Sequence, residues 1–313
     1  MEDKRTMLKY VKITVSLLLI GLLLYNVEWN LVLDNLKAMH GWAVALAFFI
    51  LTIQFPISTI KWRQSLEVHG LDYPFWFLQK VLCIGFFFNN FLPTSIGGDA
   101  YRIIRTMPDD GYRSRAVSAV LVERIIGLAA LLFLGFLGGV TVLGRERIDI
   151  AVYYVLICAA GGVALLILYL LFKTQYVAGM LARISRLKMV DVLIHNVNLI
   201  KNSPGLLINI IFVSLVFQAL AILAISVLFE ALGADGGYAK YALISAVVGV
   251  AGVIPISING IGVIEGAFAV SAIQLGMDYN QAVIVAFTLR ILVVPLSLLC
   301  GLVYLLDTRK TPG

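Results

Sequence analysis

Apolar residues in this chain run in long blocks. Six blocks are long enough to cross ~30 Å of hydrocarbon as helices. They are about Tyr10–Val27, Gly41–Ile60, Val117–Thr141, Ile150–Phe172, Leu206–Phe229 and Ala282–Leu306. No small-x-small cleavage site follows the first, so it is expected to stay as a span and not to leave as a signal peptide. Two further blocks, Phe75–Leu92 and Tyr241–Gly276, are broken by proline and glycine.

The breaks are two copies of one motif. The first runs Phe91-Leu-Pro-Thr-Ser-Ile-Gly-Gly-Asp99, followed by an apolar span that carries Glu123 and Arg124. The second runs Val253-Ile-Pro-Ile-Ser-Ile-Asn-Gly-Ile-Gly-Val-Ile-Glu265, followed by a span that carries Arg290. Pro-x-Ser-Ile is common to both, as Pro93/Ser95 and Pro255/Ser257. In both, the arginine (Arg124 or Arg290) stands twenty-five residues after the acid (Asp99 or Glu265).

Lysine and arginine decide whether the broken blocks cross or turn back, because cytoplasmic loops collect them. If both turn back and the N-terminus is cytoplasmic, seventeen basic residues lie inside, Lys61, Arg63 and Arg102 among them. Only Lys37, Arg145, Arg147 and Lys240 lie outside. Two full crossings would instead put the basic runs 102–115 and 173–201 outside. Charge therefore predicts six transmembrane helices and two re-entrant helical hairpins. Residues 1–145 form one repeat, with a hairpin at about 75–107 entering from the cytoplasmic side. Residues 146–313 form an inverted copy, with a hairpin at about 241–277 entering from the outer side. This is the plan of many secondary transporters. Gln54 and Gln218 fall at comparable places in the two halves.

Composition agrees with an all-α polytopic membrane protein. Hydrophobic residues make up 61% of the chain and charged residues 13%, too apolar for a soluble globular domain. No segment is long and polar enough for a separate soluble domain. Positive-inside loops account for the net charge of +6, so no nucleic-acid partner is expected. Residues 173–204 interleave basic and apolar positions, as an interfacial helix on anionic lipid does. Cys83, Cys158 and Cys300 read as small core residues, and His40, His69 and His195 are scattered. Without a P-loop or a metal-binding motif, no cofactor is expected.

Irregular backbone at membrane depth must be buried in protein or line a polar cavity. Each motif is therefore expected to be a hairpin tip, with proline opening the returning helix and Ser95 or Ser257 accepting from its free N–H groups. Gly97, Gly98 and Gly260 allow close approach of backbone or ligand; tight helix packing is the plainer alternative. Such a helix start would favour an anionic headgroup. Asp99, Glu123, Arg124, Glu265 and Arg290 are expensive in lipid and must pair or face water. Two ion pairs are expected, Asp99–Arg124 and Glu265–Arg290. Glu123 has Leu289 at the matching place and is the candidate for a proton-accepting or substrate-facing carboxylate. Asn89 and Asn90 would donate to ligand or satisfy backbone freed by the hairpin.

The segments Asn89–Arg102, Val122-Glu-Arg124 and Ile254–Glu265 closely resemble one family. It is the flippase-like transmembrane domain found as the N-terminal half of lysylphosphatidylglycerol synthases and as stand-alone membrane proteins. The resemblance covers nearly the whole chain. In the fused synthases this half is linked to moving a modified phospholipid between leaflets, and a soluble domain makes that lipid. These 313 residues hold no such domain, so aminoacyl transfer is not carried over. Asn259 departs from the family's more glycine-rich turn.

These readings converge on a multi-pass protein of the cell membrane with both termini cytoplasmic. It would move an anionic or zwitterionic lipid, polyprenyl-phosphate-linked lipids included, either passively or coupled to an ion. Asn89, Asn90, Ser95, Gly97, Gly98, Asp99, Arg102, Glu123, Arg124, Ser257, Asn259, Gly260, Glu265 and Arg290 would line its path. The alternatives are an intramembrane transferase with Asp99 or Glu123 as general base, or a scaffold for a lipid-synthesising enzyme.

Overall fold

A computed structural model describes residues 39–91, 97–107, 109, 112–146, 203–234, 236–253 and 257–307, with isolated positions 14, 18, 21, 25, 30 and 162. Apart from those positions, the blocks at Tyr10–Val27 and Ile150–Phe172 lie outside the described residues, as does the basic stretch up to residue 202. Eight α-helices are described: α1 (Gly41–Val68), α2 (Phe75–Phe91), α3 (Gly97–Arg105), α4 (Arg113–Glu146), α5 (Pro204–Ala231), α6 (Gly237–Val253), α7 (Val263–Gln274) and α8 (Tyr279–Asp307). Among the described residues, α1, α4, α5 and α8 are long and apolar enough to cross a membrane.

Each long helix outruns the apolar block that announced it. Helix α1 continues from Ile60 to Val68 and so carries Lys61 inside a helix, 5% exposed. Lys61 is therefore not the cytoplasmic-loop residue expected from the charge count. Pro56 and Pro295 lie within α1 and α8. Membrane helices tolerate such prolines because neighbouring groups satisfy the freed carbonyls.

Helices α2 and α3, with 17 and 9 residues, pack on one another across the first motif. The excursion returns to where it began: Tyr73 Oη donates to the carbonyl of Thr106 at 3.1 Å. Helices α6 and α7, with 17 and 12 residues, do the same across the second. There, a methyl group built on Gly236 would sit 3.0 Å from Met277 Cε, so the two ends of that excursion also meet. The second hairpin begins at Gly237, four residues before the expected start.

The bases of the two hairpins lie at opposite ends of the bundle. Helix α4 starts at the first base, where Gly70 faces Arg115, and reaches the second, where Gly138 lies against the carbonyl of Ala239. Helix α8 runs the other way. Its Gln281 donates to the Leu232 carbonyl at 2.9 Å near the second base. Its Asp307 holds Lys80 at 2.9 Å and Arg105 at 3.8 Å near the first.

Lipid tails are as apolar as leucine, so helix association in a bilayer rests on close contact and polar links. Gly249 admits Leu131, whose Cδ2 would be 2.1 Å from an added Cβ. Phe229 stacks on Tyr241 beside the second base, with centroids 5.2 Å apart. Trp62, Leu66, Leu78, Ala116 and Ala119 form a separate core at the first. Gln54 Nε2 donates to the Phe217 carbonyl and Gln218 Nε2 to the Gly127 carbonyl, each at 3.0 Å. The two glutamines thus tie α1 to α5 and α5 to α4.

Candidate functional site

At the first tip the returning helix is set by contact between two backbones. A Cβ on Gly98 would lie 2.0 Å from the Gly85 carbonyl oxygen and 2.7 Å from Asn89 Cγ. The Gly98 N–H donates to Asn89 Oδ1 at 2.8 Å. Gly97 opens α3, and Asp99 falls in its first turn, where a carboxylate suits the helix dipole.

From Asp99 a chain of alternating charges runs inward. Asp99 Oδ2 meets Arg124 Nη2 at 2.5 Å, and Asp99 Oδ1 lies 3.6 Å from Arg102 Nη1. Arg102 Nη2 donates to Glu123 Oε2, and Lys61 Nζ lies 3.3 Å from Glu123 Oε1. Aromatic faces cover the inner cations, with Arg102 4.2 Å from the Trp62 centroid and Lys61 4.8 Å from that of Phe217. Side-chain exposure rises outward, from 7% at Lys61 and 10% at Arg102 to 54% at Arg124. Three cations face two carboxylates, leaving one positive charge in excess.

The second tip carries a simpler pair. Asn259 and Gly260 take the left-handed conformation, at φ 50° and 69°. Asparagine is the commonest residue after glycine to adopt it, so the chain turns here despite the missing glycine. Gly262, at φ 84°, precedes α7. Its N–H donates to Glu265 Oε2 at 2.7 Å, and Glu265 Oε1 accepts from Arg290 Nε. Ser257 is buried, and its hydroxyl has no hydrogen-bond partner among the described residues.

The tips touch. Asn259 Nδ2 donates to Asn90 Oδ1 at 3.2 Å, while Asn90 Nδ2 donates to the Phe86 carbonyl at 2.9 Å. Beside this junction, a cavity of about 240 Å³ opens among Leu51, Gln54, Phe55, Phe86, Phe217 and Leu296.

Both expected ion pairs form, so each hairpin is tied to the span that follows it. Ser95 lies outside the described residues. Glu123 is 4% exposed and faces Lys61 and Arg102. In this arrangement it is a counter-ion shared by two enclosed cations. At the helix starts, Asn89 accepts from the Gly98 N–H and Glu265 from the Gly262 N–H, one backbone donor at each.

Sequence reasoning missed Lys61. Its signal was a polar stripe on α1, since Gln54, Lys61 and Ser65 recur at helical spacing and all three are buried. No group of three or more His, Cys, Asp or Glu among the described residues could hold a metal ion.

No curated protein matches the chain. A family does: the lysylphosphatidylglycerol synthase TM region matches residues 10–301. That span takes in both tips, both arginines and Lys61. The chain is a multi-pass membrane protein and belongs to the family of the lysylphosphatidylglycerol synthase TM region.

Proposed function

We propose that this protein carries a phospholipid headgroup across the bilayer between the two hairpin tips. The observation that carries the proposal is the contact of Asn90 with Asn259, which brings together two hairpins based at opposite ends of the bundle. A headgroup leaving either end reaches the same junction. On this reading the hairpins are re-entrant, the halves are inverted repeats, and both termini are cytoplasmic. Exposed Trp76 and Tyr112 near one base, and Trp42 and Tyr238 toward the other, fit the two aromatic belts of a bilayer.

Arg124 and Arg290 are the groups a phosphate would meet. Both keep partial exposure, at 54% and 26%, whereas their carboxylate partners are 14% and 2% exposed. Each also lies nine residues along its helix from its own hairpin base, Arg115 to Arg124 and Gln281 to Arg290. Two arginines offset from the middle in opposite directions give a phosphate successive donor sites, and the adjoining apolar cavity suits an acyl chain. A transferase would need a free carboxylate as base, and Asp99 and Glu123 are both ion-paired. This geometry favours transport.

In proteoliposomes, Arg124→Ala and Arg290→Ala are each expected to slow leaflet exchange by about ten- to a hundredfold, the loss of one charge-assisted hydrogen-bonded contact of 1.5–3 kcal/mol. Lysine at either place should restore part of the rate, because it keeps the charge and loses the planar fork. Exchange unchanged in both alanine variants would remove the arginines from the path.

A further inference from the structure

Every carboxylate at the two tips already faces a cation. Asp99 faces Arg124 and Arg102, Glu123 faces Arg102 and Lys61, and Glu265 faces Arg290. The seven side chains, Lys61, Arg102, Arg124 and Arg290 against Asp99, Glu123 and Glu265, sum to one positive charge. Lys61 and Arg102 are enclosed, so the excess reaches the surface at Arg124, the most exposed of them at 54%.

From this count we infer that the transported lipid has a net charge of minus one and no ammonium group: a phosphodiester with an uncharged polar tail, such as a glycerol headgroup. The inference rests on the lipid-moving reading above and narrows it. An unbalanced charge inside a membrane is costly, and a single phosphodiester at Arg124 cancels it. A zwitterionic headgroup brings its own ammonium, which would have to displace Lys61 or an arginine to find a carboxylate. An aminoacylated headgroup of net positive charge would add to the excess. A phosphomonoester or diphosphate overshoots, leaving a negative charge that the seven side chains do not balance. Selection here lies as much in what the site repels as in what it attracts.

Fluorescent acyl-labelled phosphatidylglycerol, phosphatidylethanolamine, lysyl-phosphatidylglycerol and phosphatidic acid are reconstituted separately with the full chain, and dithionite quenching follows their exchange. Phosphatidylglycerol is expected to exchange about tenfold faster than the other three, since mismatched charge in such a site costs more than one tenfold step. Arg124→Gln brings the sum to zero and should bring the phosphatidylglycerol and phosphatidylethanolamine rates together. The wild-type panel needs no variant, so a misfolded Arg124→Gln protein does not spoil the test. Equal and robust exchange of all four lipids, or faster exchange of any of the other three, overturns the inference and leaves transport standing. Failure of every lipid to exceed empty vesicles overturns the transport reading and the inference with it.

Discussion

Gly98→Ala is expected to prevent the first hairpin from closing. The added methyl would sit 2.0 Å from the carbonyl oxygen of Gly85. That neighbour is backbone within helix α2, so no side-chain rotation makes room. Relief requires α3 to move off α2, which breaks the Gly98–Asn89 hydrogen bond and carries Asp99 away from Arg124. Overpacking of this kind costs about 1–3 kcal/mol where side chains can adjust, and more where backbone must shift. The loss here is expected at the upper end or beyond, read as a drop of several degrees in the thermal midpoint in detergent. Gly266→Ala is the control. It lies within α7 with nothing within 4 Å of an added Cβ, and should be neutral or slightly stabilising. Equal midpoints for wild type and Gly98→Ala would show that the hairpin does not pack in this way.

Replacing Glu123 by leucine is expected to be the most destabilising single change among the charged residues. The acid is 4% exposed and holds Lys61 on one oxygen and Arg102 on the other. Its removal leaves two enclosed cations near each other with only Asp99, 3.6 Å from Arg102, to offset them. Breaking a buried pair by removing one partner costs about 3–5 kcal/mol, chiefly because the remaining charge is stranded. Lys61→Met should be milder, since Glu123 keeps Arg102. Joining the two changes should recover part of the loss, a coupling that a double-mutant cycle in thermal unfolding reads directly. Additivity of the two changes would mean that Lys61 and Glu123 do not interact.

The sequence made some of this visible and hid the rest for physical reasons. The Asp99–Arg124 and Glu265–Arg290 pairs were legible because charges are rare in apolar blocks and recur there at one spacing. That each broken block forms two helices packed on one another was legible from the paired Pro/Gly breaks. Lys61 was not, because it follows an apolar block, where a lysine ordinarily marks the interface. Its inward aim depends on Glu123, sixty-two residues later, and on the Phe217 ring from another helix. Hydropathy also put the helix ends too early, since polar residues such as Arg63 and Gln64 continue α1 well past its apolar block. The junction of Asn90 with Asn259 is tertiary, and neither residue announces the other.

The headgroup path requires the two hairpins to enter from opposite sides of the membrane. Arg113 opens α4 beside the first base, and Gly237 opens α6 at the second. Single cysteines at these places, in a background with Cys83, Cys158 and Cys300 replaced by serine, are labelled in intact cells with a membrane-impermeant maleimide. The cysteine at 237 is expected to react from outside, and the one at 113 only after the membrane is opened. Reaction of both from the same side would contradict the inverted arrangement and the headgroup path built on it.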